Sequence, residues 1–466
     1  MSRPHVHVSG VGGVGMNAVA QLLLADGVEV TGSDRFLDQG TRLPVFDLLE
    51  AEGLTLVPQD GSALRPDSRA LVLSTAVEPD NPERRRAGEL GIPERHRAEV
   101  LADFTRKGPL AAVAGTSGKT SCTGWLGWVL AECGLDPAVV NGGGVLGWKS
   151  ETRIGNVRLG SADSWWVVEV DESDRSLLRF EPEVALINTL TADHHSFDDT
   201  VDLFREFAGK VGRCIVCGPG VKRYLEGAMG ISAELREVSN PVDVSLPGVH
   251  NRWNAAAVLA MAEVCGCDPE AARMALHSFR GVERRLELCT VPGQNPRVYD
   301  DYAHNPEKIG AAIRAVQPTE GKLIALWRPH GFTPLKQNFE AYVDAFADSL
   351  RDQDEVWLLP VFYAGGTVPA GVNHQDLVEA LQKRSARAVG LEGYPSEIPL
   401  AEPDVLLVMG ARDPELSRFA REIADNLQET LELLSSPGFR EDFERSKHEA
   451  EIGDTLSFEE VFGEDQ

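Results

Sequence analysis

Four short stretches of this chain hold residues whose types and spacing can do chemistry. The first, Gly115-Thr-Ser-Gly118-Lys119-Thr120, lies between the apolar run PLAAVAG and the helical pattern TSCTGWLGWVLAECG. That is the setting of a phosphate loop. Glycines let backbone N–H groups close on phosphate oxygens, the lysine reaches the β and γ phosphates, and the threonine hydroxyl ligates Mg2+. The longer motif G-x-x-x-x-G-K-[ST] wants a glycine where this chain has Val113. The stretch therefore reads as a nucleotide loop of a shorter kind, against the competing reading of a chance Gly-Lys-Thr. Gly115, Thr116, Ser117, Gly118, Lys119, Thr120 and Ser121 are the candidate ATP contacts, and Lys119 the candidate catalytic cation.

The second stretch, VVEVDESDRSLL, is an apolar run ending in Glu169, Asp171, Glu172 and Asp174. In an open parallel sheet the carboxyl end of a strand borders the ligand crevice, so a carboxylate there can hold a metal on a triphosphate. The bland alternative is a solvated acidic loop, and for Asp174 alone that is the reading taken. The third, INTLTADHHSFDD, ends another strand pattern in Asp193, His194 and His195. A lone histidine is usually packing or surface, but two beside an aspartate at the same sheet edge put metal ligation on an equal footing. The fourth, Gly10-Val-Gly12-Gly13-Val-Gly15, fits G-x-G-x-x-G, with Asp34 ending the next strand pattern. Such a turn brings backbone and a helix N-terminus close to a diphosphate. It serves a dinucleotide or a UDP-sugar equally, and its structural alternative is a plain glycine turn.

These stretches need strands that end where the loops begin. Residues 1–107 alternate apolar runs (HVHVSG, VEVTGSD, LTLVP, ALVLSTA) with helical patterns, MNAVAQLLLAD among them. Such alternation predicts parallel sheets with crossover helices, an α/β fold. Arg106-Lys107-Gly108-Pro109 makes a joint, and a second unit, 108–287, carries the phosphate loop, WWVVEVD, VALINTL and the helix HNRWNAAAVLAMAEVCG. A third, 288–436, repeats the alternation through RVYDDYA, KLIALW, EVWLLPV, RAVGLEG and VLLVMGA. The remainder, 437–466, is a polar acidic tail read as loosely held. No tandem repeat is visible.

Composition narrows the partners. A formal net charge of −27 argues against a general nucleic-acid binder, which needs clustered Lys and Arg, so anions must be held by local devices. No window has the roughly 18 consecutive apolar residues of a membrane span, and the N-terminus runs straight into a strand-and-glycine pattern rather than a cleavable leader. Seven cysteines, an odd and sparse set, suit a reducing cytoplasm. Cys214-x-x-Cys217 and Cys265-x-Cys267 invite a zinc reading, but the second spacing is wrong for a knuckle, and buried or incidental thiols are preferred.

Together these motifs give the chain a resemblance to the Mur ligase family, the ATP-dependent amide-forming enzymes of peptidoglycan synthesis, from His5 to about Leu427. Gly115–Thr120 matches the family's short loop G-T-x-G-K-[TS]. GVGGVGM, TGSD and STAVEPDNPE resemble a UDP-binding domain, and EVDESD with ADH keeps the family's spacing of glutamate and metal-site histidine. The resemblance implies three domains: a Rossmann-like UDP-binding domain, a central ATPase-type parallel-sheet domain and a C-terminal Rossmann-like domain. It implies Gly10, Gly12, Gly13, Gly15, Met16, Ser33, Asp34, Ser74 and Thr75 as UDP-substrate contacts, and Thr120, Glu169 and His194 as Mg2+ ligands. HNRWNAAA implicates Asn251 and Asn254 near adenine, ERRLE implicates Arg285, and DDYAHNP implicates Asp301 on the ribose and His304 near the reacting phosphate. Lys119, His194 and His304 are then the catalytic set. Some members carbamylate a lysine in the central region; Lys210 is the nearest candidate, against an ordinary helix-surface lysine.

The implied reaction joins a carboxylate to an amine through an acyl phosphate, with ATP becoming ADP and phosphate. The acceptor implied is UDP-N-acetylmuramate and the first expectation for the amine is L-alanine. Alternatives are a sibling ligase using a peptide or other amine, an NAD-binding dehydrogenase built on Gly10–Gly15, and a catalytically silent ATP-binding regulator. The partners are thus small molecules, with the protein a cytoplasmic monomer or homodimer. Two departures stand out. Ser117 replaces the His usual in the alanine-adding branch, and Pro329-His330-Gly331-Phe332-Thr333-Pro334 keeps a family frame, roughly P-H-R-[YF]-[TS]-R, without its two arginines. Arginine pairs suit carboxylate recognition, so the pocket around His330 is where the amine substrate is in question.

Overall fold

A computed structural model describes residues 3–191, 196–362 and 371–435, with Gly438. The chain forms two compact units, Met1–Glu287 and Leu288–Gln466. All three sheets are α/β, as the strand–helix alternation predicts.

The first unit holds two sheets. One has five parallel strands in the order Thr55–Leu56, Glu29–Ser33, His5–Ser9, Ser68–Leu73, Glu94–His96. Its central strand, HVHVS, is buried on both faces, as a parallel strand covered by helices on each side must be. The strand turns at Gly10 into the helix Val14–Ala25. The other sheet runs Glu234–Glu237, Cys214–Cys217, Val184–Ile187, Leu110–Ala114, Trp166–Glu169, Ala138–Val140, Val157–Arg158. All its pairs are parallel except the last.

That strand order is what positions the chemistry. Leu110–Ala114 feeds the phosphate loop and lies between Trp166–Glu169 and Val184–Ile187. The loop is therefore flanked by an acidic strand end on one side and by Asn188–Thr191 on the other. Behind it, the helix Lys119–Glu132 packs Trp125 fully inside, its ring 5.0 Å from Phe279 and its indole N–H donating to the Leu276 carbonyl at 3.0 Å. A buried indole that keeps its hydrogen bond avoids the cost of an unpaired N–H and fixes the helix against its neighbours.

The second unit has a six-stranded sheet that starts at the short edge strand Glu287–Leu288. It continues Arg297–Asp301, Val405–Gly410, Leu323–Arg328, Glu355–Leu358, Arg387–Gly390. The last five are parallel, so the carboxyl ends of Arg297–Asp301, Val405–Gly410 and Leu323–Arg328 lie side by side. The acidic tail, Gly438 apart, lies outside the described residues. Cys214 and Cys217 are core residues of a strand, Cys265 caps the helix Val249–Val264, and all seven thiols are free. Burial pushes the Cys217 thiol up to about 12, out of the reactive range.

Candidate active site

The phosphate loop is held from below by side chains at the end of the strand Val184–Ile187. Asn188 donates through Nδ2 to the Ser117 carbonyl at 3.1 Å and to Asn254 Oδ1 at 2.9 Å. Thr189 Oγ1 accepts from the Ser117 N–H at 2.8 Å, and Thr116 Oγ1 meets Thr189 and Thr191 hydroxyls at 3.1 and 2.9 Å. The close fit explains one glycine. Gly118 has φ +80°, and a Cβ there would stand 2.3 Å from Asn188 Nδ2, so any side chain would break the cradle.

Lys119 opens the helix and is largely buried. Its ammonium donates to the Gly115 carbonyl at 2.8 Å and to Glu172 Oε2 at 2.6 Å. Burial alone would lower its pKa, but the charges of Glu172, Glu169 and Asp171 outweigh that and raise it. Lys119 therefore remains a cation. Asp171 shows the converse: burial opposes its ionisation, but Lys119, the Ser173 backbone N–H and Arg97 hold its carboxyl below the ordinary range.

Beside it, Thr120 Oγ1 lies 3.1 Å from Glu169 Oε1, while Glu169 Oε2 accepts from the Gly142 N–H at 2.9 Å. Arg285 Nη2 donates to Thr120 Oγ1 at 3.1 Å. Its neighbours Arg284 and Leu286 have φ of 56° and 49°, an unusual backbone for side-chain-bearing residues that aims the intervening guanidinium at the loop. A hydroxyl and a carboxylate in contact at the phosphate end of the loop are hard oxygen donors, a set that fits Mg2+ and not a soft metal. His194, with Asp193 and His195, lies outside the described residues.

Asn251 and Asn254 are buried on one face of the helix Val249–Val264, linked at 3.3 Å. Through Asn188 they reach the phosphate loop. Ser121 continues the helix beside Thr120, and Lys210 follows the end of the helix Phe197–Ala208.

The glycine turn of the first sheet faces the same place. A cleft of about 310 Å³ is lined by Gly13, Gly15, Met16 and Ser74 on one wall and by Gly142, Glu169 and Asp171 on the other. Arg97 projects into it, its Nη2 3.5 Å from Asp171 and 3.9 Å from Asp174. Asp174, read as a solvated loop acid, is corrected here: its side chain is only 11% exposed and lies 3.4 Å from His96. His96, which caps the neighbouring helix, and Arg97, which opens it, line its surroundings. Asp34 supports the turn from outside the cleft, accepting from the Gly12 N–H at 2.9 Å and the Phe36 N–H at 2.9 Å. Ser33 is buried beside it, and Thr75 follows Ser74 on the loop after Ser68–Leu73.

In the second unit, Asp301 accepts from the Ala303 N–H at 2.7 Å, and His304 Nδ1 lies 2.9 Å from the Tyr302 carbonyl. The His304 and His330 rings meet edge to face at 5.1 Å. Burial and the charge of Arg412 hold His330 below the ordinary histidine range.

Nothing in the sequence singles out Asn188, Thr189 or Arg97, and Glu172 stands out there only as one of four acids. Asn188 and Thr189 stand in the quoted INTLT run, but nothing in a polar residue after a strand announces that it props a neighbouring loop. Arg97 sits in an ordinary helical stretch.

The fold and this site define an α/β protein with a phosphate-loop sequence between two parallel strands and an acidic strand end beside it. The chain belongs to the Mur ligase family. Residues 5–108 match the family described as "Mur ligase family, catalytic domain", and residues 284–412 that described as "Mur ligase, glutamate ligase domain". It is similar to the UDP-N-acetylmuramate–L-alanine ligase of Methylobacterium nodulans, 34% identical over 83% of this chain and 88% of the relative. The ligase of the same name from Pelotomaculum thermopropionicum is 33% identical over 88% and 95%. Among solved structures, UDP-N-acetylmuramate–alanine ligase from Thermotoga maritima superposes with TM-score 0.74 at 24% identity, covering 91% of this chain and 99% of that one. A murein peptide ligase from Psychrobacter arcticus gives TM-score 0.63 at 21%, covering 90% and 98%. The protein is accordingly an ATP-dependent, ADP-forming ligase, with the three-domain architecture of its family.

Proposed function

We propose that this protein joins the carboxylate of UDP-N-acetylmuramate to the amine of L-alanine, converting ATP to ADP and phosphate. The observation that carries the reading is the cleft. It sets the glycine turn, suited to the diphosphate of a UDP-sugar, against Glu169 and Asp171 beside the phosphate loop.

The chemical problem is that an amine cannot displace oxide from a carboxylate, whereas phosphate leaves readily from an acyl phosphate. Forming one brings two anions together, the carboxylate and the γ-phosphate. Lys119, held as a cation, is the fixed positive charge for that encounter, and pre-set charge is the strongest lever an active site has. In the free protein Glu172 pairs with it at 2.6 Å, so a phosphate group takes the place of a carboxylate. Thr120 and Glu169, with His194, would hold Mg2+, which screens the phosphates. Arg285, tied to Thr120, adds a guanidinium as a second positive charge at the same point. Asn251 and Asn254 are the proposed adenine-side contacts, Asp301 the ribose contact and His304 a group near the reacting phosphate. Gly10–Gly15, Met16, Ser33, Ser74 and Thr75 serve the UDP-sugar, with Asp34 fixing the shape of the turn.

Domain roles follow: 1–107 for the UDP-sugar, 108–287 for the ATP phosphates, 288–436 for the amine. Gly331 and Pro334, standing where arginines are expected, favour one second reading, a ligase whose amine is a peptide or another amino acid. Purified protein with UDP-N-acetylmuramate, ATP, Mg2+ and a panel of amines, assayed for phosphate release, tests both. Stimulation by L-alanine supports the first. Stimulation only by a peptide amine supports the second. ATP-independent binding of NAD with no phosphate release would overturn both.

A further inference from the structure

The amine site lacks the arginines of its family frame, yet a carboxylate-bearing amine needs a cation to read it. The carboxyl ends of two adjacent strands of the second unit point to where one is found. Leu323–Arg328 and Val405–Gly410 pair in parallel up to Arg328 and Gly410. His330 and Arg412 each stand two residues beyond those paired ends, so they leave the sheet at the same place. Arg412 is close enough for its charge to depress the ionisation of His330. His304, from the third adjacent strand end, closes the group with its ring 5.1 Å from that of His330.

Two further observations separate Arg412 from an ordinary surface arginine. It has φ +66°, a conformation that disfavours a side chain and that glycine would adopt freely. The neighbouring Asp413 does not neutralise it. That buried carboxylate is already taken by Arg328 at 2.5 Å, by the Tyr394 hydroxyl at 2.6 Å and by the Glu415 N–H at 3.0 Å. Arg328 in turn lies over the Phe362 and Tyr394 rings and donates to the Pro360 carbonyl at 3.1 Å, a structural position. Among the described residues, Arg412 makes no hydrogen bond or ion pair and is exposed. It is a guanidinium held out beyond the carboxyl end of an interior strand, at a backbone position that favours glycine, beside His330.

We propose that Arg412, with His330 beside it, anchors the α-carboxylate of the incoming amino acid, supplying the cation that Gly331 and Pro334 do not. A planar guanidinium binds a carboxylate through two parallel N–H···O bonds, a geometry no imidazole offers. The inference rests on the ligation reading and names the substrate class of its amine site.

The test compares L-alanine with L-alaninamide, which keeps the amine and removes the charged carboxylate, under saturating ATP and UDP-N-acetylmuramate. The variant is Arg412→Gly, because glycine suits φ +66° and the fold is not penalised. The wild-type protein should prefer L-alanine in kcat/KM by about 10- to 100-fold, the range for hydrogen bonds to a charged group. In Arg412→Gly that preference should fall to within about 3-fold, through KM for the amino acid, with KM for ATP and thermal stability unchanged. Arg412→Lys should retain part of it. An Arg412→Gly protein that keeps the wild-type preference, or a wild-type protein with no preference, overturns the inference while leaving the ligation reading standing. A wild-type protein that uses neither amine overturns the L-alanine reading itself and the inference with it.

Discussion

Asn188 is the residue on which the shape of the phosphate loop depends, and two substitutions there separate hydrogen bonding from packing. It is 4% exposed, and its amide donates to the Ser117 carbonyl at 3.1 Å and to Asn254 Oδ1 at 2.9 Å. Asn188→Ala removes both bonds, about 1 kcal/mol each net. The Ser117 carbonyl keeps the Thr189 hydroxyl at 3.3 Å, so it is not orphaned. Buried Asn254 Oδ1 has no such substitute and adds a desolvation cost of about 1–2 kcal/mol. The sum, about 3–4 kcal/mol, should lower the unfolding temperature by about 5–7 °C for a unit of this size. Asn188→Asp conserves the shape but turns a carboxylate oxygen toward two acceptors. It should therefore be worse than alanine by about 1 kcal/mol or more, despite being the closer match in size. Unfolding followed by tryptophan fluorescence reports on this region, because Trp125 is buried in the helix that begins at Lys119. ADP affinity, by calorimetry, should fall about 10-fold in both variants as the loop loosens. An aspartate variant as stable as the alanine one, or an alanine variant within about 1 °C of wild type, would refute the cradle.

Three more outcomes follow from the same geometry. Lys119→Met should reduce the ADP-forming rate by at least about 100-fold. It also strands buried Glu172, costing about 3 kcal/mol, and Lys119→Met with Glu172→Gln should recover stability but not turnover, as a chemical-denaturation series would record. Glu169→Gln should raise the Mg2+ concentration for half-maximal activity about 10-fold or more, with far-UV circular dichroism unchanged. Burial opposes ionisation of Glu83, but its bond to His7 at 2.7 Å and nearby serines outweigh it, and its pKa lies below the ordinary 4.5. A depressed carboxylate contributes stability that is complete above about pH 4.5 and is lost as pH falls through the lowered folded value. Stability measured from pH 6 to 3 should accordingly fall more steeply in the wild-type protein than in Glu83→Gln; parallel curves would remove Glu83 from the account.

Periodicity and turn chemistry made most of the architecture legible. The run LAAVA, apolar on both faces, reads as an interior strand, whereas HVHVS alternates and hides its polar face by pairing His5 and His7 with Ser68, Thr31 and Glu83; the glycines after both mark where ligand loops begin. The strand Cys214–Cys217 escaped because CIVC is short and lacks a chemistry-bearing end, and Glu94–His96 because its ERH sequence carries no apolar signal. Lys119, Thr120 and Glu169 declared themselves through type and spacing. Asn188 did not, because its work is to face a loop 71 residues away in sequence, and pairing across a sheet is invisible until strand order is known. Arg412 was silent for another reason: its backbone angle, its guanidinium left unpaired among the described residues and its place beside His330 mark it, and residue type signals none of them.

In the proposed reaction ATP activates the sugar's carboxylate as an acyl phosphate before the amine attacks. The most direct measurement uses UDP-N-acetylmuramate with 18O in both carboxylate oxygens, together with ATP, Mg2+ and L-alanine, and follows the released phosphate by mass spectrometry. One 18O should appear in phosphate for each amide formed. Phosphate released without label, or amide formed without phosphate, would contradict it.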